Sequence, residues 1–319
     1  MKKILIVVLG IIVAMPLFSQ QLPLYSLYRE NSFMLNPAIA GSADHAIASI
    51  CYRQEWIKVQ EAPRTVLGSY TTPIRKKNIG LGISLSNDQT GPTSYTGLTV
   101  AAAYHISFEK INPFRWPEFL RNSKISIGLS GSLYQYRLNS GELLTDIPND
   151  NAINTTAKST WLPNAGLGIY YYYDKFYTGF SIPNVIPLNE SFNDQNTVSN
   201  IKQALTYEVV AGGKIPINQG WKNILNIEPL VWFRYEKNAP WQVDGNVRIR
   251  YKNLFWVGVG YRSLSNIVAD AGVIIKEHIE ISYAYDQSVS DLHTYLGSSH
   301  EILVAYHFSP GKQHYKRYR

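Results

Sequence analysis

The residues best equipped for chemistry are seven histidines, at positions 45, 105, 278, 293, 300, 307 and 314, and a scatter of serines and carboxylates. None of the histidines sits four residues from a second histidine with a glutamate between, as a zinc-binding helix requires. His300 and Glu301 are adjacent within a period-two segment, so their side chains leave on opposite faces and cannot converge on a metal. Ser282 or Ser299 with His300 is a conceivable hydrolytic pair, but serine and histidine are common and chance is the simpler explanation. No G-x-S-x-G is present. Glycines 80, 82, 128, 166, 168, 258 and 260 recur at strand spacing, not in a loop before a helix, so they form no phosphate cradle. Cys51 is the only cysteine, which excludes an intrachain disulfide and a cysteine-rich metal site. The expectation is a protein that is not an enzyme and uses no cofactor or metal.

A different set of polar residues repeats with a period. Arg53, Arg248, Arg250, Arg262, Asp286 and Glu301 each fall on the polar face of a segment whose other face is apolar. Val243, Val247, Ile249 and Tyr251 alternate with Asp244, Asn246, Arg248 and Arg250. Phe255, Val257, Val259 and Tyr261 alternate with Trp256, Gly258, Gly260 and Arg262. Ile302, Val304, Tyr306 and Phe308 alternate with Glu301, Leu303, Ala305 and His307. A soluble sandwich turns the large face into a core, whereas a membrane barrel turns it toward lipid and the polar face into a wet lumen. In a lumen the charges brace the wall as salt bridges or filter a solute, and bracing is the more economical reading for each.

The elements that must position these residues are short strands. After the first 19 residues no run of 18 apolar residues occurs, so helical spans are excluded. Strands are expected near 45–54, 64–73, 78–86, 95–108, 123–137, 161–173, 175–183, 203–215, 222–234, 240–252, 253–263, 266–275, 278–286 and 299–308. That is about fourteen antiparallel strands, an even number of roughly ten residues each, as bacterial outer-membrane barrels have. Asp174-Lys175, Lys252-Asn253 and Lys276-Glu277 read as tight turns. Residues 55–63, 87–94, 138–160, 184–202 and 287–298 read as longer loops. Sorting of loop length by parity points to long outer loops and short periplasmic turns. Residues 109–122, with Pro113, Trp116 and Pro117, break that order and suggest a structured insertion.

Composition and the two ends agree with export. The 23 Tyr, 7 Trp and 11 Phe suit a chain with two bilayer interfaces. Lys2-Lys3 followed by apolar Ile4 to Ala14 and by Met15 to Ser19 reads as a signal peptide, residues 1–19, with no cysteine for lipidation. Of the formal net charge of +7, Lys2, Lys3, Lys312, Lys316, Arg317 and Arg319 supply six, so the body is close to neutral. A basic stripe for nucleic acid is therefore not expected. The layout is then a signal peptide, an N-terminal segment 20–44, an all-β barrel over 45–308 and a basic tail 309–319. The segment is either a plug or a periplasmic rim element, and the tail either a docking peptide or a solvated end.

Gln21, Pro23, Tyr25, Tyr28 and Asn31, then Asn36-Pro37-Ala38-Ile39-Ala40-Gly41, resemble the opening of the PorP/SprF family of type IX secretion proteins of Bacteroidetes. Arg53-Gln54, Trp56, Ala62-Pro63, Thr65, Gly80, Asp88, Gly91 and Tyr104 continue the resemblance. Tyr283, Tyr285-Asp286 and His300-Glu301 close it, and Asn36 to Pro63 is its most specific stretch. The resemblance implies a multi-pass outer-membrane barrel that binds a secreted protein or adhesin, through its C-terminal sorting domain. It also implies other secretion components, periplasmic proteins among them, as partners, and gliding motility as one use. Asn36, Pro37, Gly41 and Trp56 join the six lumen charges as candidate partner-binding or lumen residues. A channel for small solutes is the alternative function, and a lipid-modifying enzyme a distant third.

Overall fold

A computed structural model describes residues 25–108, 123–139, 158–187, 189–191, 200–202, 205–217, 225–236, 239–263, 266–290 and 293–308. The expected signal peptide, the insertion 109–122 and the basic tail lie outside the described residues. So do most of the expected loop 138–160 and part of the expected loop 184–202.

Fourteen strands form one closed antiparallel wall. They are β1 Ala46–Gln54, β2 Arg64–Ile74, β3 Ile79–Thr90, β4 Thr93–Ser107, β5 Lys124–Leu138, β6 Lys158–Tyr172 and β7 Phe176–Ile182. A small hairpin, β8 Asn189–Ser191 with β9 Asn200–Lys202, stands outside the wall. The wall resumes with β10 Thr206–Gly213, to which the two-residue β11 Ile215–Pro216 is an extension on the partner strand β12 Leu225–Glu236. It finishes with β13 Gln242–Tyr251, β14 Phe255–Arg262, β15 Asn266–Ile275, β16 Ile279–Ser288 and β17 Ser298–Phe308. Successive strands pair along the chain, and β17 pairs with β1 to close the ring. Closure gives every wall strand a partner on each side, the condition for a sheet to stand in hydrocarbon, although the short β7 pairs with β6 only over Leu167 to Tyr172.

The alternation seen in the sequence sets the two faces. Ile50, Val100, Leu129, Leu167, Val257, Val259, Val304 and their neighbours are exposed on the outside of the ring. Arg53, Glu208, Asp244, Arg248, Asp270, Asp286 and Glu301 are buried inside it. A soluble sandwich would have the opposite arrangement. Aromatics cluster at both rims: Tyr52, Trp161, Tyr235, Trp241 and Tyr261 at one, Tyr104, Phe176, Phe255, Tyr306 and Phe308 at the other. These are the two girdles expected where rings meet the headgroups.

The rim that carries the start of β1 and the end of β17 is served by tight turns at 75–78, 173–175, 252–254 and 276–278. Asn78, Lys252, Lys276 and Glu277 adopt positive φ there, the left-handed geometry that a two- or three-residue reversal demands. The opposite rim carries 55–63, 183–205 and 289–297. Two expectations about connections need correction. Residues 87–94 are not a long loop: β3 and β4 stay paired to Thr90 and Thr93 around Gly91 at φ 52°. The polar residues there are satisfied within the ladder, Asp88 by Thr65 Oγ1 at 2.6 Å and Asn87 by Thr96 Oγ1 at 2.7 Å. The long-loop rim therefore has a short hairpin between β3 and β4, so loop length follows parity only as a tendency.

Residues 25–42 join no strand. They run inside the ring as two 3-10 turns, Ser32–Met34 and Pro37–Ile39, joined by irregular chain. The apolar packing inside lies between this segment and the wall: Tyr25, Leu27 and Tyr28 against Leu67, Trp232, Trp256 and Leu303, and Phe33 and Ala40 against Ala101 and Ala103.

Candidate functional site

The lumen is the candidate site, because every charge singled out in the sequence faces it and the internal segment is bound there. At the loop rim, Arg53 on β1 stands directly across from Glu301 on β17. Its Nη1 donates to Glu301 Oε2 at 3.0 Å and its Nη2 to Asp286 Oδ2 at 2.7 Å. Ser26 completes the group: its backbone N–H donates to Glu301 at 2.7 Å and its hydroxyl to Asp286 at 2.6 Å. Arg262, held by Asp244 at 2.8 Å across the β13–β14 ladder, donates to the carbonyl of Tyr25 at 3.1 Å. Two arginines and three carboxylates thus grip Tyr25, Ser26 and Leu27, whose N–H donates to Glu301 at 3.1 Å.

Nearer the turn rim, Arg248, Gly258 and Asp270 lie on one line across β13, β14 and β15. The central glycine has no side chain, so Arg248 passes over it to reach Asp270, Nε to Oδ2 at 2.8 Å. The same guanidinium lies 3.7 Å from the Trp256 ring centroid and pairs with Glu30 of the segment at 2.5 Å. Arg250 pairs with Glu228 at 2.9 Å, and Arg29 of the segment donates to the Glu228 carbonyl at 3.1 Å. Arg234 and Glu208 form a further cross-strand pair at 3.0 Å.

The Asn-Pro-Ala-Ile-Ala-Gly run is fitted against the opposite side of the wall. The Asn36 side chain caps its own turn, accepting from Ala38 N–H at 2.9 Å. Its amide donates to the carbonyls of Ile169 at 3.1 Å and Phe180 at 3.3 Å. Pro37 opens the second 3-10 turn, where its missing N–H costs nothing. Gly41, at φ 64°, donates to Thr71 Oγ1 at 2.8 Å. Wall glycines make this approach possible. A Cβ at Gly80 would strike Ala40, one at Gly128 would strike Ala38, and one at Gly168 would strike Asn36. Ser126 and Ser181 donate to the carbonyls of Ala38 and Leu35, each at 2.6 Å.

Nine of the ten residues picked from the sequence therefore meet in the lumen. Trp56 does not: it lies in the 55–63 loop at φ 46°, its backbone N–H 3.4 Å from Ser299 Oγ. Ser26, Arg29 and Glu30 were missed, as were Glu228, the wall partner of Arg29, and Asp244 and Asp270, which hold Arg262 and Arg248. The signal available was a pair of charges, Arg29-Glu30, ahead of the first strand. His300 contacts Tyr283 Oη at 2.6 Å and Ser298 Oγ at 3.1 Å rather than Ser282 or Ser299, so the conceivable hydrolytic pair is not assembled. Among the described residues no group of three metal-ligating side chains converges.

A closed wall of fourteen strands, apolar outside, girdled at both rims and ionic within, defines an outer-membrane β-barrel. Among solved structures, the CymD monoaromatic hydrocarbon channel is similar over 87% of this chain and 91% of its own, at TM-score 0.51 and 13% identity. The Pseudomonas putida toluene transporter TodX follows at TM-score 0.47 and 9% identity, covering 87% and 93%. The Acinetobacter baumannii outer membrane protein Omp33 follows at 0.42 and 8%, covering 84% and 100%. No curated protein matches the sequence. Residues 17–306 match the family described as type IX secretion system membrane protein PorP/SprF, and the chain belongs to it.

Proposed function

We propose that this protein is an outer-membrane anchor of the type IX system that binds a secreted protein or adhesin, through its C-terminal sorting domain, and supports its secretion or surface display. Family membership along nearly the whole chain supports the setting. The observation that carries the anchoring reading is the occupied lumen: a folded cargo cannot thread a ring whose interior holds residues 25–42 and at least three ionic clusters. Cargo is then engaged at a rim rather than passed through. Periplasmic components of the machinery are the second class of partner, and gliding is one use such an anchor serves.

Affinity purification from native membranes tests this. One large secreted protein with a C-terminal sorting domain is expected in the eluate, and its absence under conditions that retain other partners refutes the reading. Deleting residues 36–41 removes no strand pairing. The barrel is expected to assemble, seen as heat-modifiable migration, while cargo is lost from the surface. Normal display from the shortened barrel would remove the segment from any role in cargo handling.

A further inference from the structure

The segment inside the barrel does not fill it evenly. On the β12–β17 side the ion pairs, Trp232 and Trp256 occupy the space up to the segment. On the β3–β7 side most inward residues are small or hydroxylic, and a hollow that extends to β10 and β12 remains on each face of the segment. The loop-side hollow is walled by Ser86, Thr99, Ser130, Ser132, Glu208 and Arg234, and floored by Phe33, Leu35 and Pro37. It reaches Pro183 and Asn184 at the loop rim. The turn-side hollow is walled by Tyr170, Tyr177 and Glu228, roofed by Tyr28, Leu35 and Ile39, and reaches Lys175 and Lys214 in the turns. Leu35 lines both.

We propose that the barrel conducts ions and small hydrophilic solutes along this side of its lumen, and that Leu35 is the constriction between an outer and an inner vestibule. The walls have the chemistry of a water-filled path. The outer vestibule is lined by the hydroxyls of Ser86, Thr99, Ser130 and Ser132 and by the charged pair Glu208 and Arg234, and among the described residues Arg234 Nη1 and Asn184 Oδ1 are buried beside it with no protein partner. Leu35 is held by its backbone: its carbonyl accepts from Ser181 Oγ at 2.6 Å and its N–H donates to Ser32 O at 3.1 Å. Its half-buried side chain packs on the apolar cluster between segment and wall and borders both hollows, and an apolar constriction in a polar pore gates by excluding water. This conduction is independent of cargo anchoring.

The test uses the full-length protein in planar phosphatidylcholine bilayers in KCl, with heat-modifiable migration to verify the fold. Leu35→Gly is expected to conduct several-fold more than the parent, and Leu35→Trp less than Leu35→Gly. Equal conductance of folded parent and both variants, zero included, overturns the proposal. In a Cys51→Ala background, Leu35→Cys gives a second readout. A membrane-impermeant thiol reagent is expected to react with it from the loop side and, separately, from the turn side. Reaction from one side only, or from neither, overturns the shared partition.

Discussion

At the scale of single residues, the lumen is governed by the cost of stranded charge. Arg53 neutralises Asp286 and Glu301, whose side chains are almost wholly removed from solvent. Replacing the pair by apolar groups need not destabilise, but removing one partner leaves the other buried and uncompensated. Arg53→Ala is therefore expected to lower stability toward urea in lipid vesicles by about 3–5 kcal/mol, less where lumen water reaches the carboxylates. Arg53→Ala combined with Asp286→Asn and Glu301→Gln should recover part of that loss. A triple variant no more stable than Arg53→Ala alone would show that the arginine acts through packing.

At the scale of an element, each strand separates two solvents one residue apart. Val257 faces lipid and Gly258 faces the lumen, where Arg248 and Asp270 meet across it. Val257→Arg is expected to destabilise the barrel by about 2–4 kcal/mol near the bilayer midplane. Gly258→Val should also destabilise, for a different reason: its Cβ would crowd Asp270 Oδ1 and Arg248 Cγ and break their ion pair. Unfolding of both variants with and without Asp270→Asn distinguishes the causes. Removing Asp270 should lessen the second penalty and leave the first unchanged.

At the scale of the whole molecule, the two rims differ. One has tight turns and both ends of the wall; the other has the longer connections. If the turn rim faces the periplasm, impermeant thiol labels on intact cells should reach Lys58→Cys and Ile186→Cys in a Cys51→Ala background. They should not reach Lys252→Cys or Lys276→Cys before the outer membrane is permeabilised. Labelling of the turn positions on intact cells would reverse the orientation.

Much of this molecule was written locally. Alternation of large apolar with small or charged residues determined the strands, their number and the face that each of Arg53, Arg248, Arg262 and Glu301 presents, because side-chain direction in a strand depends only on parity. Turn residues such as Lys252-Asn253 and Lys276-Glu277 marked reversals for the same reason. Tertiary structure alone decided that Arg248 meets Asp270 two strands away, because that meeting depends on the register of two ladders and on Gly258 between them. It alone decided that Asn36 to Gly41 lie inside the ring, since Gly80, Gly128 and Gly168 come from three strands and form one receiving surface only once the wall is closed. Spacing along a chain carries no information about residues that ring closure makes neighbours.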